Sequence, residues 1–274
     1  MIRDITLGQY YSTESIIHKI DPRVKIISTF VYLISLFIFK SLAGYILVSI
    51  FLIIIIKLSK VPFKFVFRGM RSIIFLLLIT VVFNIFLTPG TSIIKIWHFS
   101  ITKEGIKIAV FMGLRLFFLI TGTQIMTLTT TPSKLTNGLE SILKPLRYIK
   151  VPVGEIALMM TIALRFLPIL LDETNKIINA QVSRGADIET GGIIKKTKAM
   201  IPILIPLFIQ AFRKASDLAL AMEARCYNNS ETRTKLNPLV YARKDYLSYL
   251  VMCGYLSIII LIRVSLEKYL TSMF

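Results

Sequence analysis

Residues that bind metals or form covalent cross-links are scarce in this sequence. It contains two cysteines, Cys226 and Cys253, and two histidines, His18 and His98, among 274 residues. Two cysteines make no disulfide framework, and neither pair of residues has the spacing of a metal-ligand motif. We therefore expect no metal site and no disulfide-stabilised fold.

Acidic residues are also scarce, with 15 Asp and Glu against 33 Lys and Arg, which gives a net charge of +18. In a soluble protein such an excess would suggest nucleic-acid binding, but no nucleic-acid-binding motif accompanies the charge here. In a membrane protein, Lys and Arg collect in the cytoplasmic loops. We therefore expect the lipid bilayer, and not a nucleic acid, to explain this charge.

The sequence also lacks a phosphate-binding loop. Residues 185–197 are glycine-rich and basic, but they lack the Gly-x-x-x-x-Gly-Lys-[Ser/Thr] register that cradles phosphates. We interpret this stretch as a linker between two helices. We expect no catalytic residue and no cofactor in the chain. Residues 1–25 show no cleavable signal pattern, so the first apolar run should stay in the membrane.

Long apolar runs are what the sequence does have. Its mean hydropathy is +0.71 and 55% of its residues are hydrophobic, and a membrane-spanning helix needs roughly 20 apolar residues. The runs that meet or approach this length are 24–39, 43–56, 72–87, 105–128 and 246–262. The sequence therefore predicts an all-α integral membrane protein with about five transmembrane helices. Residues 1–130 would form a four-helix membrane portion, and residues 246–274 a carboxy-terminal membrane helix.

Charge asymmetry predicts the orientation of these helices. Residues 57–71 hold five basic residues and no acid, so this loop should be cytoplasmic. The amino terminus would then also be cytoplasmic, and the loop 91–104 would lie outside.

Residues 131–245 differ from the rest because they mix charges with apolar patches. The apolar stretch 151–171 carries Glu155 and Arg165, which are costly in lipid, and the stretch 199–212 is short for a span. We expect long amphipathic helices at the cytoplasmic face, which makes 131–245 a cytoplasmic module. A re-entrant hairpin remains an alternative.

Two helices of this module end alike, each with a small residue, an arginine and a second small residue. The two triplets are Ser183-Arg184-Gly185 and Ala224-Arg225-Cys226. One interpretation is helix capping, since an arginine in the last turn favours the helix dipole and glycine can adopt the left-handed conformation. The other is docking, since an exposed arginine can bind a carboxylate or carbonyl of another protein. The residues leave both open.

Five segments in order resemble the transmembrane scaffold of energy-coupling factor transporters, the T component EcfT, which is related to the cobalt-transport CbiQ proteins. The segments are Asp21-Pro22-Arg23-Val24-Lys25, Thr131-Pro132, residues 163–168, residues 180–185 and residues 221–227. The resemblance covers nearly the whole chain. The chain departs from the family pattern at Ser183, which replaces alanine, and at Cys226, which replaces glycine. Because cysteine has a steric cost at positive φ, left-handed closure is not expected at Cys226.

The resemblance implies a non-enzymatic subunit of an ATP-driven importer in a prokaryotic cell membrane. Its residues 131–245 would hold the coupling helices. Such a scaffold binds a membrane-embedded S component and two ABC ATPases of the EcfA and EcfA' type, and these ATPases bind the ATP and Mg²⁺. The scaffold couples ATP hydrolysis to uptake of a vitamin or other micronutrient. The implied ATPase-docking residues are Ser183, Arg184, Gly185, Ala224, Arg225 and Cys226. Neither the cargo nor whether the scaffold is shared follows from the resemblance.

Two alternative functions are a self-contained secondary transporter and an intramembrane enzyme. A transporter would show inverted repeats with paired broken helices near the membrane midplane, whereas the helix breaks of this chain lie in the 131–245 segment. An enzyme would need polar residues that converge at membrane depth. The early runs offer Asn84, Arg115 and Gln124, in no recognisable catalytic pattern.

Overall fold

The computed structural model describes residues 10–39, 41–96, 99–186, 192–227 and 238–271. These residues form eight α-helices: α1 Pro22–Ile38, α2 Leu42–Ser59, α3 Phe63–Leu87, α4 Lys103–Thr129, α5 Pro132–Leu143, α6 Val153–Ser183, α7 Ile193–Ala224 and α8 Arg243–Thr271. Short 3₁₀ helices precede α1 at Ile17–Lys19 and follow α5 at Lys144–Ile149. The all-α class is therefore confirmed.

A small β-hairpin lies in the loop that the sequence places outside. Strand β1, Ser92–Ile96, pairs antiparallel with strand β2, Phe99–Thr102. The hairpin leads directly into α4, whose N-cap is Thr102. The hydroxyl of this buried threonine accepts from Gly105 N at 3.0 Å and donates to Thr88 O at 2.9 Å. The cap thus fixes the start of α4 against the end of α3.

Five helices of the described chain are long and apolar enough to cross a membrane, which confirms the expected number. They are α2, α4, α6, α7 and the 243–265 part of α8. These five helices are not the same as the five predicted runs. Helix α1 has only 17 residues, and the apolar part of α3 is the short stretch Ile73–Leu87, so both are too short to be counted. Helix α7 qualifies because it extends well beyond the apolar stretch 199–212 to a length of 32 residues.

The chain divides into two compact units, of which the larger comprises residues 8–142 and 239–274. Helix α4 is central in it and contacts α1, α2 and α3, while α8 packs on α1 and α2. The core is aromatic and aliphatic. The Tyr32 hydroxyl donates to Phe118 O at 3.1 Å, and Phe51 stacks on Tyr255 with ring centroids 4.2 Å apart. Large apolar side chains such as Phe75, which is 73% exposed, cover the outer surface, as is typical of helices that face lipid.

The smaller unit comprises residues 143–238 and is built from α6 and α7, which contact each other. Both helices continue through prolines, at Pro168 in α6 and at Pro202 and Pro206 in α7. Each proline removes one intrahelical hydrogen bond, which weakens the helix locally without ending it. The predicted linker 185–197 is shorter than expected because α7 begins at Ile193; residues 187–191 lie outside the described residues.

Candidate functional site

The carboxy-terminal end of α6 closes in the left-handed conformation at Gly185. Arg184 is the C-cap, with φ −87° and ψ 7°, and Gly185 follows with φ 84°. The backbone N–H of Ala186 donates to Gln181 O at 3.0 Å, and that of Gly185 donates to Val182 O at 2.9 Å. These two bonds are the pattern of the Schellman motif, which satisfies carbonyls that a helix end leaves open.

The end of α7 closes in the same way, residue for residue. Arg225 is the C-cap, with φ −92° and ψ 14°, and Cys226 follows with φ 54°. Tyr227 N donates to Met222 O at 2.9 Å, and Cys226 N donates to Glu223 O at 2.8 Å. The expectation that Cys226 would not adopt the left-handed conformation is therefore wrong. Two backbone hydrogen bonds offset the steric cost, which is about 1–2 kcal/mol for a residue with a side chain.

The side chains at both ends point outward. All six predicted docking residues are exposed: Ser183, Arg184, Gly185, Ala224, Arg225 and Cys226. Neither arginine guanidinium makes a hydrogen bond or ion pair with any residue that the structure describes. The Ser183 hydroxyl donates to Asn179 O at 3.0 Å, so it is used within its own helix. Each tip therefore offers one cation whose hydrogen-bond donors are available to an external acceptor.

The polar residues of an intramembrane enzyme do not come together in the larger unit. Asn84 donates to Thr80 O at 2.7 Å within α3. The Arg115 guanidinium lies 5.1 Å from the centre of the Phe37 ring. The Gln124 amide donates to Val66 O at 3.1 Å and accepts from Gly69 N at 3.2 Å. Each of the three binds its own local partner, which is a structural role.

A cluster of polar residues joins the ends of three helices, and no sequence pattern identified it as a unit. We call it the entry clamp; its members are the buried Asp21, Lys25 and Asp245 and the half-buried Arg23. The Asp245 carboxylate, in the first turn of α8, accepts from Asp21 N at 2.8 Å and from Ala242 N at 2.7 Å. Asp21 in turn is the N-cap of α1 and accepts from Arg23 N at 2.8 Å. The start of α1 is thereby tied to the start of α8.

The two basic members of the entry clamp extend it in both directions. Arg23 donates to Leu239 O at 2.9 Å, and its guanidinium lies 5.0 Å from the centre of the Tyr241 ring. The Lys25 ammonium donates to Thr129 O at 2.9 Å and to Thr130 Oγ1 at 3.2 Å, at the end of α4. The clamp explains in physical terms why the segment 21–25 carries so many polar groups at the entry to an apolar helix.

Comparisons with known proteins agree with these features. The sequence model of the CbiQ family, described as cobalt transport protein, matches residues 13–236. An energy-coupling factor transporter transmembrane protein, EcfT, of Clostridium kluyveri is 49% identical over 267 residues, 96% of this chain and 98% of the relative. Proteins of the same name from Ruminiclostridium cellulolyticum and Bacillus subtilis are 53% and 41% identical over 248 and 246 residues. The two alignments cover 90% and 89% of this chain, and 92% and 93% of the relatives' own chains.

The family match covers most of the chain, and the relatives align over nearly their whole length at high identity. The structure adds the apolar helices of a multi-pass membrane protein. The chain therefore belongs to the CbiQ family of transport proteins, and within that family it is related to the EcfT transmembrane components of energy-coupling factor transporters.

Proposed function

We propose that the chain is the non-catalytic scaffold of an ATP-driven importer. In this proposal two ABC ATPase subunits dock at the Arg184 and Arg225 tips, and an S component in the membrane binds the vitamin or other micronutrient. The chain couples ATP hydrolysis by its partners to uptake by the S component. The observation that carries the proposal is the matched pair of exposed, arginine-capped helix ends.

The hydrogen bonding at the tips favours docking over capping. An arginine that capped its own helix would bind the open carbonyls of the last turn. Here backbone N–H groups already bind the carbonyls of Gln181 and Val182 in α6 and of Met222 and Glu223 in α7. The guanidinium groups are therefore available for a carboxylate or carbonyl of another protein, a contact for which the planar fork of arginine is well suited.

The length of the two helices fits a role in transmitting movement. Helices of 31 and 32 residues are about 47 Å long, so a displacement at one tip reaches the distant apolar part of the same helix. That part is exposed on both helices, for example at Met159 of α6 and at Ile205 and Phe208 of α7. The proposal assigns this apolar surface to the bilayer and the S component, and it places the tips in the cytoplasm.

Arginine substitutions at the tips test the proposal. Arg184→Ala and Arg225→Ala would each weaken ATPase binding, and the double variant would abolish it, because truncating one partner of a buried charged contact costs roughly 2–5 kcal/mol. The measurements are co-purification of the ATPases in mild detergent and ATP-dependent uptake in proteoliposomes. Arg213→Ala is the matched control, because Arg213 is an exposed arginine of α7 away from the tip.

Two outcomes would contradict the proposal. If the double variant binds the ATPases and supports uptake as well as the unmodified chain, the tips are not the docking sites. If the purified chain catalyses uptake in liposomes without ATPases, it is a self-contained transporter.

A further inference from the structure

A cavity of about 370 Å³ lies within the larger unit, at the ends of four helices. Its walls come from the first part of α1 and of α8, from the last part of α2 and of α4, and from the short helix Ile17–Lys19. The basic segment 57–71, which spans the end of α2 and the start of α3, places the cytoplasm on the side of these helix ends. The cavity therefore belongs to the cytoplasmic half of the membrane region.

The cavity has a buried floor and an open side. Val24 and Ile125, which are 1% and 7% exposed, belong to the floor. Ile54 of α2 and Leu247 and Val251 of α8 are half exposed or more and line the opening. The opening thus lies between two helices that are both apolar enough to span a membrane, where acyl chains are the neighbouring molecules.

The chemistry of the lining suits a hydrocarbon chain. Most of the described lining residues are aliphatic or aromatic, and none of them is a carboxylate or a histidine. The charged lining residue, Lys25, already donates to Thr129 O at 2.9 Å and to Thr130 Oγ1 at 3.2 Å. Three lining hydroxyls already donate within their own helices: Thr29 to Lys25 O at 2.8 Å, Thr129 to Ile125 O at 2.8 Å, and Ser248 to Lys244 O at 2.9 Å. A polar molecule would find few groups there to replace its bonds to water, whereas an acyl chain needs none.

Two exposed lysines are close in sequence to residues that line the cavity. Lys57 precedes the lining residue Leu58 at the end of α2, and Lys244 lies one turn before the lining residue Ser248 in α8. Lys19, in contrast, already pairs with Glu14, with Nζ and Oε2 2.9 Å apart. Basic residues at the membrane surface attract the anionic headgroups of the cytoplasmic leaflet.

We propose that this cavity is a lipid site that holds an acyl chain of one anionic phospholipid, with its headgroup at Lys57 and Lys244. A chain that moves from the bilayer into the cavity gains little hydrophobic free energy, because lipid tails are as apolar as the lining. It does gain the van der Waals contacts that an empty cavity would forfeit. The two lysines then select for headgroup charge, and the bound lipid stabilises the packing of α2 against α8.

Photo-crosslinking of the full chain in nanodiscs tests the site. The discs contain equal amounts of phosphatidylglycerol and phosphatidylcholine, and in parallel samples one or the other carries a diazirine in its acyl chain. Crosslinks are mapped by mass spectrometry. The phosphatidylglycerol probe should label peptides that contain Ile54 and Val251 roughly fivefold more than the phosphatidylcholine probe. Equal labelling by both probes would overturn the choice of an anionic lipid. Labelling no stronger than that of the lipid-facing α3 residue Phe75 would overturn the site itself.

Matched variants locate the effect. Val251→Trp fills the opening and should remove most of the crosslinks there. Leu250→Trp, at a neighbouring residue that is 69% exposed and outside the cavity, should leave them unchanged. Lys57→Gln with Lys244→Gln should remove the preference for phosphatidylglycerol.

If both tryptophan variants act alike, the cavity is not the lipid site. If crosslinks persist in the free chain but vanish from the cavity in the assembled complex, the native occupant is a partner helix and the proposal fails. Crosslinking of the free chain requires no ATPase and no uptake, so that readout is independent of the scaffold function.

Discussion

The carboxylate of Asp245 accepts a hydrogen bond from the backbone N–H of Asp21 at 2.8 Å, across a sequence separation of 224 residues. Asp245 is 2% exposed, and its second oxygen accepts from Ala242 N at 2.7 Å. One side chain thus caps the start of α8 and holds it against the start of α1. In a chain whose apolar helices gain little from packing against each other in lipid, such a polar contact can specify the arrangement of the helices.

Replacing Asp245 should destabilise the larger unit. Asp245→Ala leaves the N–H groups of Asp21 and Ala242 without their acceptor, and each buried orphan costs roughly 1–3 kcal/mol. We expect a clear fall in the midpoint of thermal unfolding in detergent, and a smaller fall for Asp245→Asn, which keeps one carbonyl oxygen. Asp217→Ala, at an exposed carboxylate of α7, is the control and should change little. An Asp245→Ala variant as stable as the unmodified chain would contradict this role.

The paired left-handed residues at the helix tips predict opposite effects of two substitutions. Gly185→Ala should destabilise the end of α6 by about 1–2 kcal/mol, from backbone strain alone, since no described residue beyond the chain neighbours of Gly185 lies within 4 Å of the position that a Cβ would take. Cys226→Gly should relieve the same strain in α7, partly offset by the entropy that glycine loses on folding. We expect a net gain below about 1 kcal/mol. Thermal unfolding in detergent measures both, and a Cys226→Gly variant that unfolds at a lower temperature would refute the explanation.

The sequence predicted features that depend on local pattern and missed those that depend on distant contacts. Runs of apolar residues predicted α2, α4 and α8, and the repeated triplets identified both arginine tips. No local signal connects Asp245 with Asp21, because the contact exists only once α1 and α8 pack. The sequence did not predict the left-handed conformation of Cys226, because it shows only the steric preference of a single residue. The fold adds backbone hydrogen bonds from Cys226 and Tyr227, and these outweigh that preference. The apolar stretch 199–212 was judged as a separate segment, although it continues into α7 on both sides.

His18 should make the stability of the larger unit depend on pH. Burial lowers the pKa of His18 below its ordinary value of 6.5. Its ring nitrogens lie 2.7 Å from Ser15 Oγ and 3.0 Å from Tyr11 O, which the neutral ring satisfies with one acceptor and one donor. The unfolded chain therefore takes up a proton at a higher pH than the folded chain does. Stability is full above about pH 6.5 and falls as the pH drops from there toward the folded pKa. Thermal unfolding across this window measures the fall, and His18→Gln should flatten it. An equal slope in that variant would assign the dependence to another group.

The position of α6 relative to the membrane can be decided by cysteine accessibility at Lys150 and Asp172, both of which are exposed. The α6 residues between them, 153–172, extend over about 30 Å, which is close to the thickness of the hydrocarbon core. If α6 lies at the cytoplasmic face, a membrane-impermeant maleimide should label Lys150→Cys and Asp172→Cys from the same, cytoplasmic, side. We expect this result because Glu155 and Arg165 fall between them, and burying such charges in lipid is costly.

The labelling needs a background without native thiols and a marker for each side of the membrane. Cys226→Ser and Cys253→Ser remove the two exposed cysteines. Lys57→Cys, in the last turn of α2, marks the cytoplasmic side, and Thr91→Cys, before the hairpin, marks the opposite side. Labelling of positions 150 and 172 from opposite sides would show that α6 crosses the membrane. Because the Arg184 tip lies only twelve residues beyond position 172, the side from which that position reacts also tests whether the tip can reach a cytoplasmic ATPase.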